Sequence, residues 1–310
     1  MTPPLVRSID APAKINLFLR VLHRREDGFR ELETLFQMLD VADDVRVCFD
    51  PAGRIDEVTL DVDGPDLGAV EENLAVRAAR AFLAASTVRG SVHVSLVKRI
   101  PAGGGLGGGS SDAAAVLRLL TELTADSDAG VPRGVSVTEA ELHTIAGSLG
   151  SDVPFFLGTA SLALGRGRGE VLSPLPALPS IPVVLALPPV HVSTAGAYAA
   201  LAESRTAEAS IRARPDHVVA DLDWARIATL AENDFEVMAT AGSPPIARSI
   251  EGLRSAGAQV SLLSGSGAAA FGVFESSAAA AVAAATLESE LGWPFVVTAT
   301  REAPPQSMRG

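Results

Sequence analysis

The feature of this sequence that most constrains its fold is a run of glycines placed between a strand and a helix. Residues 91–97 alternate polar and apolar side chains, which predicts a strand, and the glycine-rich residues 101–111 follow. Apolar residues within 113–123 then recur at the spacing of an amphipathic helix. Glycines let successive backbone amides point inward, and a helix N-terminus adds unpaired amides and a positive dipole. The arrangement predicts a phosphate-binding loop rather than a flexible connector, with Ser110 or Ser111 as the N-cap of the helix.

Known nucleotide-binding patterns differ in how well they match this loop. Gly103, Gly105 and Gly108 satisfy the dinucleotide spacing G-x-G-x-x-G, so an NAD-dependent oxidoreductase is one alternative. Against it, residues 98–102 separate the glycines from the strand, and residues 121–130 are polar where a second strand should begin. The P-loop pattern is absent because no Gly-Lys pair occurs, and the protein-kinase segments His-Arg-Asp and Asp-Phe-Gly are missing too.

Charge and composition limit the partners of the chain. The formal net charge of −12 disfavours nucleic acid, which binds basic surfaces. Prolines interrupt the apolar residues 175–190, whereas a membrane span needs roughly 20 unbroken apolar residues. The first residues lack the apolar stretch of a secretory signal, so we expect a soluble, cytoplasmic protein without a membrane partner. The single cysteine cannot form an internal disulfide, and the scattered histidines predict no metal site.

Nearly all basic residues of the chain are arginines. Only Lys14 and Lys98 are lysines among the 25 basic residues, so each can mark a position that needs a compact ammonium group. Lys14 lies in the alternating residues 13–21, a predicted half-buried strand on which Lys14 and Asn16 share one face. Lys98 directly precedes the glycine run, where it either contacts nucleotide or is solvated at the end of a strand.

The remaining periodicity predicts an α/β (α+β) protein. Helices are expected at residues 73–85 and 139–149, the second closed by Gly150. A length of 310 residues suffices for two domains, which we place at 1–160 and 161–310. Residues 204–216 are predicted to be an exposed linker and residues 303–310 a loose tail. Further strands are expected at 45–49, 58–62, 183–187, 260–263, 270–274 and 295–298.

Four segments resemble the motifs of one enzyme family, in the same order along the chain. Residues 101–115 are similar to P-x-x-x-G-L-G-S-S-A/D-A-A, residues 11–17 to A-P-A-K-I-N-L, residues 149–156 to G-S-D-V-P-F, and residues 264–267 to a second glycine loop. These are motifs of the GHMP kinases, and the chain most resembles their diphosphocytidyl-methylerythritol kinase branch in isoprenoid biosynthesis. The resemblance extends from about residue 10 to residue 275 and includes residues 73–74 and 165–170.

The resemblance implies an ATP- and Mg²⁺-dependent kinase with its active site between two domains. The N-terminal domain would resemble the ribosomal S5 domain 2 fold, the C-terminal domain would be ferredoxin-like, and the protein would be a monomer or a weak homodimer. The acceptor would be the 2-hydroxyl of 4-diphosphocytidyl-2-C-methyl-D-erythritol, with Asp152 as general base and Lys14 as its electrostatic partner. The implied nucleotide contacts are Lys98, Pro101, Ala102, Gly103, Gly104, Gly105, Leu106, Gly107, Gly108, Gly109, Ser110 and Ser111. The implied substrate contacts are Asn16, Phe29, Arg30, Ser264, Gly265, Ser266 and Gly267.

These residues could also have purely structural roles. Lys14 could be an exposed strand lysine, Asp152 could cap the turn after Gly150, and Asn16 could bond a neighbouring loop. Residues 264–267 could be an ordinary tight turn.

Residues 27–32 depart from the D-G-Y-H-E-L pattern of the branch, with Phe29 and Arg30 in place of the tyrosine and the histidine. Phe29 can still stack on a base. Arg30 offers only donors, so it would hydrogen-bond cytosine, clamp the diphosphate or point into solvent. Three different activities therefore stay open for this chain: a kinase for homoserine or mevalonate, a decarboxylase that consumes ATP, and a non-catalytic nucleotide sensor.

Overall fold

A computed structural model describes residues 4–25, 30–54, 57–125, 137–204 and 221–309. Within these ranges the chain forms two β-sheets with helices packed on them. The strands are β1 (Leu5–Arg24), β2 (Arg30–Asp50), β3 (Val58–Asp63), β4 (Ser91–Val97), β5 (Leu162–Gly167), β6 (Val171–Pro174), β7 (Pro182–Ala186), β8 (Val260–Leu263), β9 (Ala270–Val273), β10 (Phe295–Ala299) and β11 (Met308–Arg309). The helices are α1 (Leu74–Ala85), α2 (Gly108–Ala125), α3 (Glu139–Leu149), α4 (Val153–Leu157), α5 (Thr194–Ser204), α6 (Trp224–Leu230), α7 (Glu236–Gly242), α8 (Pro244–Ser255) and α9 (Ser277–Leu291).

The first sheet is built around the long hairpin of β1 and β2. Because β2 is 21 residues long, its two halves have different second neighbours: residues 44–50 pair with β4, and residues 32–37 pair with β5. The strand order is β11-β1-β2-β4-β3, and β5 carries β6 on its outer edge. Among the strands within the described ranges, β3 and β4 are the only pair that is parallel. This largely antiparallel sheet is not the parallel sheet of a dinucleotide-binding fold, so the structure contradicts the oxidoreductase alternative.

Helices α1 and α2 bury one face of this sheet. The alternate apolar residues Val92, Val94 and Leu96 of β4 lie in one buried cluster with residues of both helices. Burial of each such side chain contributes about 1.5–3 kcal/mol, which is why the period-two pattern predicted this strand correctly. Helix α1 begins one residue after the expected start, because Asn73 is its N-cap and accepts a hydrogen bond from the amide of Ala75 at 2.9 Å.

The second sheet has the antiparallel order β10-β7-β9-β8 and packs against α8 and α9. A further apolar cluster joins the two sheets, because Ile15 and Leu17 of β1 pack with Leu185 of β7 and Phe271 of β9. The segment of β1 that carries Lys14 therefore lies between the sheets. Among the described ranges, no helix combines the length and the apolar character needed to cross a membrane.

Two expectations about organisation are corrected by the structure, and a third stays a prediction. Residues 162–174 form β5 and β6 of the first sheet, and the division into domains at 1–160 and 161–310 stays a prediction. The tail is not loose throughout, because Met308 and Arg309 pair with β1. The strand at residues 13–21 is buried on both faces rather than one, since the second sheet covers it. Residues 205–216 of the expected linker lie outside the described ranges.

Candidate active site

The predicted phosphate loop is a tight curve that ends in the first turn of α2. Gly103, Gly105 and Gly107 have φ values of 73°, 74° and 76°, a left-handed conformation that glycine adopts without strain. Helix α2 begins at Gly108, so the expectation that Ser110 or Ser111 is its N-cap is wrong, and both serines lie inside the first turn. The amide of Ser111 already donates to the carbonyl of Gly107 at 2.9 Å, whereas those of Gly108, Gly109 and Ser110 precede the first acceptor of the helix and are available to an anion.

The carbonyl groups of the loop are already bonded to the protein. The carbonyl of Gly104 accepts from the amide of Ala269 at 3.2 Å, that of Gly105 from Ser264 Oγ at 3.1 Å, and that of Leu106 from the amide of Lys14 at 2.9 Å. The side chain of Leu106 is buried in the cluster between the sheets. These contacts hold the loop against the second sheet and β1, and they leave the helix amides beside it for a ligand.

Lys14 and Asp152, the pair expected to be catalytic, lie together. Lys14 Nζ is 3.4 Å from Asp152 Oδ2, and the lysine is 4% exposed. The alternative of an exposed strand lysine is therefore wrong. Asp152 precedes α4, but its side chain makes no capping hydrogen bond, so the capping alternative is wrong too. Its side chain is 28% exposed, which leaves the carboxylate accessible to a substrate hydroxyl.

A chain of hydrogen bonds orients Asn16 beside this pair. Thr34 on β2 donates its hydroxyl proton to the carbonyl of Phe18 at 2.8 Å, so its oxygen accepts from Asn16 Nδ2 at 2.8 Å. That bond turns Asn16 Oδ1 toward Lys14 Nζ, which donates to it at 2.8 Å. Thr34 was not expected from the sequence, because only the pairing of β1 with β2 brings it to Asn16.

The second glycine loop, residues 264–267, packs directly against the lysine. A Cβ atom at Gly265 would lie 3.4 Å from Lys14 Nζ and 3.6 Å from Asn16 Oδ1, and Gly265 has a φ of 57°. Ser264 is buried against the first glycine loop, and Ser266 Oγ lies 3.0 Å from the hydroxyl of Thr194. Residues 264–267 are therefore more than an ordinary tight turn, since they connect the first glycine loop to Lys14 of the Lys14–Asp152 pair.

These elements enclose a cavity of about 340 Å³. Eight of the residues expected at the site line it: Lys14, Asn16, Gly105, Gly107, Ser110, Asp152, Gly265 and Ser266. Residues that sequence reasoning missed also line it, among them Thr34, Arg168, Thr194, Tyr198 and Phe235. The cavity thus combines a phosphate loop, a carboxylate and a lysine, which are groups that transfer of a phosphoryl group to an alcohol requires. Aromatic rings lie beside them.

Comparison with known proteins agrees with this geometry. The sequence matches the family model GHMP kinases N terminal domain over residues 73–159 and the model GHMP kinases C terminal over residues 218–291. A 4-diphosphocytidyl-2-C-methyl-D-erythritol kinase from Solibacter usitatus is 41% identical over 85% of this chain and 80% of its own length. The chain belongs to the 4-diphosphocytidyl-2-C-methyl-D-erythritol kinase family. The family member from Gloeobacter violaceus is 39% identical over 94% of both chains.

Solved structures of GHMP kinases share the fold of this family member. A crystal structure of 4-(cytidine 5'-diphospho)-2C-methyl-D-erythritol kinase is 37% identical over 94% of this chain and 98% of its own, with a TM-score of 0.73. Homoserine kinase from Cytophaga hutchinsonii has a TM-score of 0.74 over 99% and 98% of the two chains, but it is only 18% identical and shows the fold alone. The expected GHMP kinase fold is thereby confirmed.

Tyr198 is the one tyrosine of this kinase, and it faces the cavity from α5. Its ring meets Phe235 edge to face, with ring centres 4.8 Å apart. Burial, reinforced by the negative charge of Asp152, raises the pKa of Tyr198 to about 12, although the charge of Arg30 lowers it. The phenol is therefore a hydrogen-bond donor at neutral pH. A lone tyrosine within an alanine-rich helix was the only sequence signal for this residue.

Lys98 and Arg30, two other residues expected at the site, do not line the cavity. Lys98 is not solvated, because its side chain is 5% exposed and its ammonium group contacts Asp43 and, at 2.6 Å, Asp112. Both carboxylates are buried, so the position of Lys98 supports a structural role under the glycine loop rather than contact with nucleotide. Arg30 begins β2 near Tyr198 and does not line the cavity, and Phe29 lies outside the described residues.

Proposed function

We propose that this kinase transfers the γ-phosphoryl group of ATP to the 2-hydroxyl of 4-diphosphocytidyl-2-C-methyl-D-erythritol in the non-mevalonate isoprenoid pathway. The observation that carries the proposal is the Lys14–Asp152 pair, which opens onto the same cavity as both glycine loops. The names of relatives that are about 40% identical over most of the chain supply the acceptor.

Asp152 is the general base of the proposed reaction. The proton of the acceptor hydroxyl passes to the Asp152 carboxylate while the alcohol oxygen forms a bond to the γ-phosphorus. The bond from that phosphorus to the β–γ bridging oxygen breaks, and ADP leaves. The carboxylate can afterwards release its proton to water, because it is partly exposed.

Lys14 stabilises the charges of this step. Its ammonium group lies 3.4 Å from Asp152 Oδ2, so it stabilises the carboxylate before proton transfer and the phosphoryl oxygens that approach the pair. Asn16 Oδ1 takes one of the three ammonium protons, and the bond from Asn16 to Thr34 prevents the amide from turning away. The lysine is thereby held in one orientation before substrate binds.

The ATP phosphates would be held by residues 101–111. The first turn of α2 offers its unpaired amides, and Ser110 adds a hydroxyl that lines the cavity. Ser111 Oγ is buried and has no hydrogen-bond partner among the described residues, which fits a serine that acquires its partner from a bound phosphate or Mg²⁺. Mg²⁺, when bound with ATP, supplies positive charge to the β- and γ-phosphates. Ser110 and Ser111 are the residues that would hold it.

The cytidine group has aromatic partners in the cavity. Tyr198 lines it, and a pyrimidine ring can stack on such a face, while the buried Phe235 supports the Tyr198 ring edge to face. The Tyr198 hydroxyl stays protonated at neutral pH, so it can donate to an acceptor on the base or the ribose. Arg168 lines the same cavity, and its positive charge suits a diphosphate.

The test is turnover of ATP by the purified protein with Mg²⁺ and 4-diphosphocytidyl-2-C-methyl-D-erythritol, in parallel with Asp152→Asn. Removal of a general base lowers kcat by about 10²- to 10⁴-fold, and we expect a loss in that range. Asp61→Asn is the control, since that aspartate is on β3 with its side chain 81% exposed.

The results separate the parts of the proposal. Asp152→Asn with a kcat close to that of the unsubstituted protein would exclude Asp152 as the base. Absent turnover with intact ATP binding would exclude this acceptor, and a panel that includes homoserine and mevalonate then identifies another alcohol. Release of carbon dioxide would identify a decarboxylase. ATP binding without turnover of any alcohol would identify a nucleotide sensor.

A further inference from the structure

Asn233 makes three hydrogen bonds from a buried position behind the second glycine loop. Its side-chain Nδ2 donates to the carbonyl groups of Leu263 and Gly265, each at 2.8 Å, and its Oδ1 accepts from the amide of Phe235 at 2.9 Å. The side chain cannot be reversed, because two carbonyl groups need a donor and one amide needs an acceptor. Asparagine therefore meets a requirement that aspartate, of nearly the same shape, does not meet.

The backbone around Asn233 is attached to the strand that carries the catalytic lysine. The amide of Leu19 donates to the carbonyl of Glu232 at 2.8 Å, and the amide of Asp234 donates to the carbonyl of Leu19 at 3.0 Å. Asn233 thus lies opposite Leu19 of β1 in a short bridge. Its side chain connects this bridge to residues 263–265, so one residue links β1 to the second glycine loop.

The far side of that loop touches the catalytic groups. Gly265 is held by Asn233 through its carbonyl group and lies against Lys14 Nζ and Asn16 Oδ1. We propose that Asn233 is a positioning residue, which fixes the loop of residues 264–267 against Lys14 and thereby holds the ammonium group toward Asp152. The inference goes beyond the proposed function. Only its kinetic assay rests on that function.

Asn233→Asp is the variant that tests this role. A carboxylate would face the carbonyl oxygens of Leu263 and Gly265, repel both and free the loop beside Lys14. Since misplacement of a reacting group by about 1 Å can cost 10²-fold in rate, we expect kcat to fall by about 10- to 100-fold. The KM for ATP should change little, because the first glycine loop keeps its bonds to Ala269 and Lys14. If Asn233→Asp does not fold, Asn233→Ala receives the same assays.

Ser249→Ala is the matched control for lost stability. Ser249 is also fully buried, donates to the carbonyl of Pro245 and accepts from Trp293 Nε1, but it lies on α8 and does not line the cavity. We expect this variant to lower the unfolding midpoint without lowering kcat. A kcat for Asn233→Asp within threefold of the unsubstituted enzyme, or equal losses in both variants, would overturn the proposal.

The two lysines of the chain provide a measurement that needs no substrate. With lysine labelled at the ε-carbon with ¹³C, the protein should give two NMR signals, assigned with Lys14→Arg. Asn233→Asp should shift the Lys14 signal and leave that of Lys98 unchanged, while Ser249→Ala should shift neither. An unchanged Lys14 signal would overturn the inference even if the protein phosphorylates a different alcohol. Absent turnover with a shifted Lys14 signal would contradict the proposed function and support the inference.

Discussion

Replacement of Lys98 by methionine should destabilise the protein more than replacement of any exposed cation. Lys98 contacts Asp43 and Asp112, and the side chains of all three residues are at most 5% exposed. Asp43 also accepts hydrogen bonds from the amides of Arg99 and Ile100, at 2.5 Å and 2.8 Å, where the chain enters the glycine loop. The ammonium group therefore balances two buried carboxylates that hold both ends of this loop.

The expected magnitude follows from what Lys98→Met leaves behind. Removal of one partner of a buried ion pair costs about 3–5 kcal/mol, because the other partner remains buried and unpaired. Whole domains are stable by only about 5–15 kcal/mol, so the loss should lower the urea midpoint strongly. The double variant Lys98→Met with Asp112→Asn should recover part of the loss, since it leaves one buried carboxylate instead of two. Circular dichroism during urea unfolding gives the free energies.

Arg99→Met is the matched control for this measurement. Arg99 is the next residue along the chain and is also paired with a carboxylate, but its side chain is 53% exposed and that of its partner Asp44 is 45% exposed. Exposed pairs contribute little, so the control should leave the urea midpoint nearly unchanged. A Lys98→Met midpoint equal to that of Arg99→Met would refute the reasoning, because it would mean that water solvates Lys98.

Two further predictions concern the same loop. Burial raises the pKa of Asp112 to about 7, above its unfolded value of about 4, so its contribution to stability is present below pH 4 and lost as the pH rises through 7. When the pH is raised from 5 to 8, the free energy of unfolding measured in urea should therefore fall less for Asp112→Asn than for the unsubstituted protein. Equal decreases in the two proteins would contradict this prediction. Gly105→Ala should lower the free energy of unfolding by at least about 1–2 kcal/mol, because Gly105 has a positive φ and a Cβ atom there would overlap the carbonyl oxygen of Ser264. Gly109→Ala should raise the unfolding free energy by about 0.5–1 kcal/mol, because Gly109 is in helical backbone and a Cβ atom there would make only an ordinary contact with Leu74 Cδ1 at 3.7 Å. Equal effects of the two substitutions would exclude this account of the loop.

Local sequence patterns predicted much of the fold and part of the candidate site. Alternation identified β4 at its observed ends, the helix expected at 73–85 is α1 with a start one residue later, and α3 has the predicted bounds. Lys14 and Asn16, which were predicted to share one strand face, are joined by a hydrogen bond. The prediction that Ser110 or Ser111 is the N-cap of α2 was wrong. Capping preferences describe isolated helix ends, whereas this helix starts within a glycine loop that other parts of the chain hold in place.

What the sequence by itself determined is therefore local: the periodicity of strands and helices, the glycine loop, and the motifs that carry the family. Only the tertiary structure decided which side chains meet. Thr34 reaches Asn16 through strand pairing, Tyr198 enters the cavity from α5, and Asn233 contacts Gly265, which is 32 residues further along the chain. The same is true of Lys98, whose partner Asp43 is 55 residues away. Propensity and periodicity act over a few residues, but burial and charge pairing depend on segments that meet only when the sheets close.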